Sequence, residues 1–447
     1  MEQSTSRAEN SDNQKDSLNI LFIFSDQMHP FAMGCMDNPE IHAPNLDRLA
    51  AEGTLFTNAY SNWPLCTPFR ANLITGRYGS QTGVMGNNQM ITDDERTLAA
   101  ALNDGGYRTS YVGKWHLGAT GNIGIPPELR AGFTDFIGYQ CYNHFLDNVW
   151  FFDEEDNKTV FDKHRTDATT DVAIERLERI ADEPFALFVS YQTPHYPEQP
   201  SPEYEAMYDG VTLTKRPNSS DIEPYTATLS PPSPKPWEND PVYQKYGGNL
   251  EEYLRLYYAM VTQLDANIGR LLDALDRLSL SDKTAVVFTS DHGDMQGSHG
   301  LANKSHPHEE SSRIPLIARV PGGAEGRVTD ALVSGIDFFP TCLDYAALPL
   351  EQRVEGVSFA PLTRGEDQTL NGPIFSETRK WCLIRQNRFK FVASRPELEP
   401  THLYDLEADP YEMTNLVEKD EHREDCERLL ATLREWRERV IAPKEIE

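Results

Sequence analysis

Cysteine is scarce in these 447 residues: the six, at positions 35, 66, 141, 342, 382 and 426, show no short paired spacing. That excludes a disulfide framework and a zinc knuckle, and it fits a reducing compartment. Long apolar runs are missing too, and none would span a bilayer as a helix. The opening "MEQSTSRAENSDNQKDSL" is polar, without the apolar centre of a secretion signal. Residues 1–17 are therefore expected as a disordered tail and the protein as cytoplasmic, with periplasmic or secreted residence if a signal has been removed. Positive charge is in short supply, with 41 lysines and arginines against 70 acids and a formal net charge of −29. A chain so acidic is repelled by phosphate polyanions, so neither nucleic acid nor a membrane surface is an expected partner. An anionic substrate would need its cations gathered locally.

What is present belongs to a globular protein: 39% apolar and 25% charged residues, with 6 tryptophans and 19 tyrosines. The length exceeds what one hydrophobic core supports, so a large domain with a smaller one is expected. Four short apolar runs rich in β-branched and aromatic residues read as buried strands: "LNILFIFS" (18–25), "RTSYVG" (108–113), "FALFVSY" (185–191) and "TAVVFTS" (284–290). Between them "TLAAALNDGG" and "DATTDVAIERLERIAD" carry helical patterns, and a stripe of Leu254, Tyr257, Val261, Leu264, Ile268, Leu271, Leu275 and Leu278 predicts a long helix over about 250–278. Strands alternating with helices predict an α/β fold, a large, mostly parallel sheet sandwiched by helices. Residues 194–248 are rich in proline, serine and tyrosine and read as an insertion over the large domain, 18–361. From 362 to 447 antiparallel strands ("GPIFSETRKWCLIRQNRFKFVAS") and a charged helix over about 418–441 predict a smaller α+β domain.

Ligands of parallel sheets sit beyond the carboxyl ends of the strands. Asp26 follows the first run, Lys114 and His116 the second, His195 the third, and Asp291 with His292 the last. One aspartate after a strand is an ordinary cap or turn former; four coincident strand ends suggest a site. Two carboxylates and an imidazole suit a hard or borderline divalent cation, with Gln27 as a possible amide ligand. Without cysteine partners a structural zinc is not expected, and calcium, magnesium or manganese is preferred. Nearby, "DHGDMQGSHGLANKSHPHEE" gathers His292, His299, His306 and His308 around Lys304.

In "LCTPFRANLITGR" (65–77), Pro68 suits the first turn of a helix and Gly76 its end. Cys66 then sits at a helix N-terminus, where amides and the helix dipole favour an anion, with Arg70 one turn on. It reads either as a reactive thiolate or as the precursor of something else.

These residues resemble the type I sulfatases of the alkaline phosphatase superfamily. "CTPFRANLITGR" is similar to their signature, in which the cysteine of C-x-P-x-R is oxidised to formylglycine. "NILFIFSDQ", "GYRTSYVGKWHLG", "PHYP", "VVFTSDHGDMQGSHGL", "KSHPHEESSRIPLIARVPG" and "HLYDLEADPYEMTNL" follow in the family's order, spanning most of 18–417. The resemblance implies an alkaline phosphatase-like fold and a sulfuric ester hydrolase. Cys66 would become the formylglycine nucleophile and a metal ligand, made by a formylglycine-generating enzyme. Arg70, Lys114 and His116 would orient its hydrate, and Asp26, Gln27, Asp291 and His292 would hold the metal. His195 and Lys304 would bind sulfate and assist the leaving group, with His195 as general acid because imidazole titrates near neutrality. The chain departs from the family pattern at Phe69, commonly a small residue, and at Gln27, an aspartate in many relatives. The Asp291–His292 pair is similar to phosphonate monoester and phosphodiester hydrolases of the same superfamily, which stand as the alternative. The expected substrate is a sulfated sugar or oligosaccharide, with Asn87, Asn88, His299, His306, His308 and Arg385 as candidates for contacting it.

Overall fold

The computed structural model describes residues 17–92, 94–118, 123–219, 250–352, 354–367, 370 and 372–441. Eleven strands form one sheet: β1 (Asn19–Asp26), β2 (Thr54–Tyr60), β3 (Arg108–Lys114), β4 (Asp135–Tyr139), β5 (Val149–Phe152), β6 (Lys158–Phe161), β7 (Phe185–Pro194), β8 (Thr284–Ser290), β9 (Arg313–Ile314), β10 (Leu316–Arg319) and β11 (Arg327–Ser334). The centre, in the order β8-β1-β7-β3-β4, is entirely parallel. These strands are buried on both faces, which is why four of them read as near-continuous apolar runs. Antiparallel β10 joins β8 to β2 at one side, and β5 and β6 close the other.

Alternation along β1 splits the core into two layers. Leu21 and Ile23 pack with α1 (Pro44–Ala51), α4 (Arg165–Ile180) and α5 (Leu250–Arg277). Ile20, Phe22 and Phe24 face α2 (Cys66–Thr75), α3 (Leu98–Asp104) and α6 (Phe338–Tyr345). The stripe on α5 is buried against the sheet as its spacing predicted, and the helix ends one residue earlier than expected. Part of the expected insertion, 220–248, lies outside the described residues; within the rest, Pro202–Ala206 form a short helix that the irregular composition did not announce.

The smaller unit is a four-stranded antiparallel sheet of β12 (Ile374–Glu377), β13 (Trp381–Gln386), β14 (Phe389–Ser394) and β15 (Pro400–Asp405). One face of it is covered by α7 (Arg423–Ile441) through Cys426, Leu429, Leu433, Trp436 and Val440, with the Trp436 ring stacked on Phe375. All six cysteines are free.

Candidate active site

Because the central strands are parallel, their carboxyl ends share one edge, and there the polar residues collect. β1 ends on Asp26 and β3 on Lys114, while Asp291 and His292 directly follow β8. Gly113 has φ of 108°, and a Cβ there would fall on the Ser190 carbonyl oxygen of β7. Glycine lets the two strands approach, which carries Lys114 inward. α2 starts at Cys66 with extended Leu65 as its cap, and Gly76 ends it in the left-handed region at φ 66°. Every residue of α2 is buried.

Asp26 is the hub. Its Oδ2 takes Lys114 Nζ at 2.6 Å and Arg70 Nη2 at 3.0 Å. Cys66 Sγ lies 3.6 Å from Asp26 Oδ1 and 3.3 Å from His292 Nε2, with Lys114 Nζ at 4.0 Å. Arg70 also reaches Asp291 at 3.4 Å and is fixed from behind by the Lys114 carbonyl (2.7 Å) and Ser190 Oγ (2.8 Å). Burial and the Cys66 sulfur disfavour the Asp26 carboxylate, yet Lys114, His195 and Arg70 hold it well below the usual carboxylate range. Burial also opposes ionisation of Cys66, but Lys114, Lys304 and His292 pull its thiol far below the ordinary value. The pocket therefore favours an anion at position 66.

Asp26, Cys66, Asp291 and His292 offer ligand atoms that all lie within 4.8 Å of one another, all buried. Burial and the charge of Asp26 push Asp291 up to about 7, the response of a second carboxylate crowded against a first. Two carboxylates, an imidazole and an anion-favouring position form a donor set that fits a hard or borderline divalent cation. Gln27 takes another place: with φ of 68°, it turns its amide oxygen to Lys304 Nζ (2.6 Å) and its NH2 to Asp294 Oδ2 (2.7 Å). Its amide oxygen thus holds Lys304 beside the group of four.

Lys304 Nζ stands 3.0 Å from His195 Nε2, while His195 Nδ1 meets the Tyr196 carbonyl at 2.6 Å. Burial, Lys304 and Lys114 lower His195 to about 3, so the expectation of an imidazole titrating near neutrality is corrected. His195 is neutral, with its proton directed at the Tyr196 carbonyl, and the shared proton rests on Lys304. His116, with φ of 47°, is lowered by burial; its carbonyl accepts Thr67 Oγ1 at 2.7 Å and ties β3 to α2.

The other expected substrate contacts are distributed around the crevice and the junction of the two sheets. Asn87 Oδ1 accepts the Thr67 N–H (3.2 Å) and so caps α2, while Asn88 is exposed. His299 and His308 lie 4.4 Å apart with tilted rings, and His308 meets His402 and Tyr404 at 6.4 Å each, between the two sheets. His306 is half-buried, its backbone N–H on Ser311 Oγ (3.2 Å). Arg385, expected on an exposed strand, is 6% exposed, and its Nη1 reaches only the Phe389 carbonyl at 3.4 Å. Phe69 turns from the crevice into the core below β1.

Several supporting residues had no signal of their own. Asp294 anchors Gln27 and Tyr253, yet in the sequence it is one more acid after the Asp–His pair. Ser190 sits inside an apolar strand. Trp381 donates its indole N–H to the Ser305 carbonyl (3.1 Å), one residue from Lys304. Lys390 pairs with Glu309 (2.8 Å) and Glu412, and Tyr60 donates to Glu309 (3.0 Å); these residues stood in recognisable segments without an assigned role.

A doubly covered, mostly parallel sheet with a buried cysteine, two carboxylates, two buried cations and a half-buried lysine at its carboxyl edge is the arrangement of a hydrolase of the alkaline phosphatase fold. Residues 18–348 match the family model described as Sulfatase, and 297–439 the one described as N-sulphoglucosamine sulphohydrolase, C-terminal. The chain belongs to the sulfatase family and is a sulfatase. It is 32% identical over 420 residues to the ulvan-active sulfatase of Formosa agariphila, covering 90% of this chain and 78% of that protein. To the N-acetylglucosamine-6-O-sulfatase of Bacteroides thetaiotaomicron it is 28% identical, covering 93% and 86%. A solved complex of a protein with its substrate D-glucosamine-2-N,6-O-disulfate superposes with a TM-score of 0.81 at 25% identity, covering 96% of this chain and 99% of that one.

Proposed function

We propose that this sulfatase removes sulfate from a sulfated carbohydrate, with Cys66 converted to formylglycine and a divalent cation, calcium first, held by Asp26, Asp291, His292 and the converted residue. The observation that carries the reading is the anion-favouring position 66 among those donors and the buried cations. The names of the relatives support the sugar class. A cation bound there would withdraw charge from the sulfate oxygens and favour ionisation of the nucleophile.

The remaining work belongs to side chains. Lys114 and Arg70 hold position 66 and its neighbours in register. One hydroxyl of the aldehyde hydrate attacks sulfur, the ester S–O bond breaks, and the sugar oxygen leaves with a proton. Lys304 holds that proton against His195 Nε2 and is oriented by Gln27, so the pair is the proton source. The second hydroxyl then returns its proton to that pair as the C–O bond to sulfate breaks, releasing sulfate and leaving the aldehyde, which water rehydrates, an exit that a plain thiol or serine lacks. Charge spread over the equatorial oxygens is met by Lys114, Lys304 and the cation.

The test uses protein co-produced with a formylglycine-generating enzyme. Peptide mass spectrometry should find the aldehyde at position 66, and turnover of N-acetylglucosamine 6-sulfate should exceed that of aryl phosphodiesters and phosphonates. Full activity with an intact thiol overturns the nucleophile. Preference by orders of magnitude for the phosphorus esters restores the phosphonate and phosphodiester reading, which the sulfatase names of the relatives leave less supported.

A further inference from the structure

Away from the crevice, a cavity of about 680 Å³ opens between the β11 edge of the large sheet and the C-terminal sheet. Its volume is that of a small-ligand site, and none of Asp26, Cys66, Lys114, His195, Asp291 or Lys304 lines it. Arg313, Arg327 and Arg385 do, and they differ in how they are satisfied. Arg313 pairs with Glu309 (3.4 Å) and donates to the Thr57 carbonyl (2.7 Å). Among the described residues Arg327 hydrogen-bonds the carbonyls of Leu362 (3.1 Å) and Glu366 (3.2 Å). Arg385 projects from β13 opposite Lys390, so both face the large domain. The Arg385 side chain is buried, its Nε has no hydrogen-bond partner, and its one bond is the long contact with the Phe389 carbonyl.

A buried guanidinium without a carboxylate is costly unless something anionic answers it. Among the described residues neither Arg385 nor Arg327 forms a salt bridge; Arg385 lies within the field of Glu309 without touching it. Glu309 is already neutralised by Lys390 and bonded by Tyr60, and the other two acids of the wall, Asp330 and Glu407, stand exposed at its rim. Two guanidiniums without a salt bridge, Arg385 buried and Arg327 half-buried, below a rim of carboxylates and amides, with Asn58 and Asn387 also in the wall, combine an anion clamp with acceptors and donors for hydroxyl groups. We propose that this cavity is a second, non-catalytic saccharide site, which takes an anionic sugar unit, sulfated or carboxylated, with its acidic group on Arg327 and Arg385. It rests on the carbohydrate reading above and adds to it that the substrate is a polyanionic chain, held at one unit while another is desulfated.

The test measures binding and turnover separately. In a Cys66→Ala background, calorimetric titration with dextran sulfate should show at least tenfold weaker binding on adding Arg327→Ala or Arg385→Gln. Thr329→Glu, which places a carboxylate in the wall, should weaken it likewise. Arg327→Ala alone should leave turnover of N-acetylglucosamine 6-sulfate unchanged. Unchanged affinity in all three variants overturns the site. So does tight binding of inorganic sulfate, lost in the same variants while dextran sulfate binding persists, because the cavity would then hold a free ion. Failure to hydrolyse any sulfated sugar, with the binding differences intact, would count against the catalytic reading and leave the cavity standing.

Discussion

Two lysines, Lys114 and Lys390, are completely buried among acids, and their surroundings could hardly be used more differently. Lys390 is enclosed by Glu309 and Glu412, which join the large domain to the C-terminal sheet. Each of those acids is occupied again, Glu309 by Tyr60 and Arg313, Glu412 by the backbone N–H of Glu309. Lys114 stands at the strand ends with one carboxylate, Asp26, that is also shared with Arg70, and it faces a thiol it helps to ionise. Buried charge that is fully answered within the protein fixes the position of a sheet; buried charge left facing a nucleophile is available for chemistry.

The sharpest way to break this contrast is at the nucleophile. Cys66→Ala should lower kcat by at least about 10,000-fold with little change in Tm, whereas Lys390→Met should do the reverse. Stripping divalent ions with a chelator should cost roughly a thousandfold in rate, restored by calcium or manganese, and should leave the Lys390 cluster unaffected by circular dichroism. Lys390→Met leaves Glu309 and Glu412 buried without their cation, Glu412 already pushed up to about 8 by burial and Glu309, and should cost about 3–5 kcal/mol in chemical denaturation. The combined Lys390→Met, Glu309→Gln, Glu412→Gln variant should recover part of that loss, and the residual folded fraction should keep its kcat on a small ester.

Acid should act on the buried histidines, at the interface and at the crevice alike. His402 is lowered to about 4 by burial and Lys390, and His299 and His308 are lowered by burial as well. Below pH 6.5 the unfolded chain binds protons that these rings refuse, so stability falls as pH drops from 6.5 toward 4 and is complete above 6.5. His402 alone should contribute roughly 3 kcal/mol across that window. A His402→Phe variant should show a visibly flatter plot of Tm against pH. The smallest effect belongs to Asn87→Ala, about 1 kcal/mol for the lost cap on α2, read by denaturant titration.

The parallel centre was legible because strands covered on both faces need apolar residues at every position, and β1, β3, β7 and β8 have them. β11, half-exposed and alternating, gave no such run. The strand ends were legible for the same topological reason. What escaped depended on pairing across long separations. The sequence around His299, His306 and His308 says nothing of a partner sheet that supplies His402 and Tyr404, and Glu309 lies 81 residues from the lysine that neutralises it. Gln27 was read by residue type as a ligand. Its left-handed backbone, which the neighbouring aspartate gave no reason to expect, aims it at Lys304. Arg385 was legible as a cation and illegible as a buried one, since only the docking of the two sheets encloses it.

The bond from the Trp381 indole to the Ser305 carbonyl latches the segment bearing Lys304 to a strand of the C-terminal sheet. During synthesis Cys66 leaves the ribosome long before residue 381 exists, so the nascent polypeptide passes through an interval in which the cysteine is accessible and the crevice is incomplete. The order of translation thus leaves Cys66 open before the C-terminal sheet arrives to fix the segment that bears Lys304.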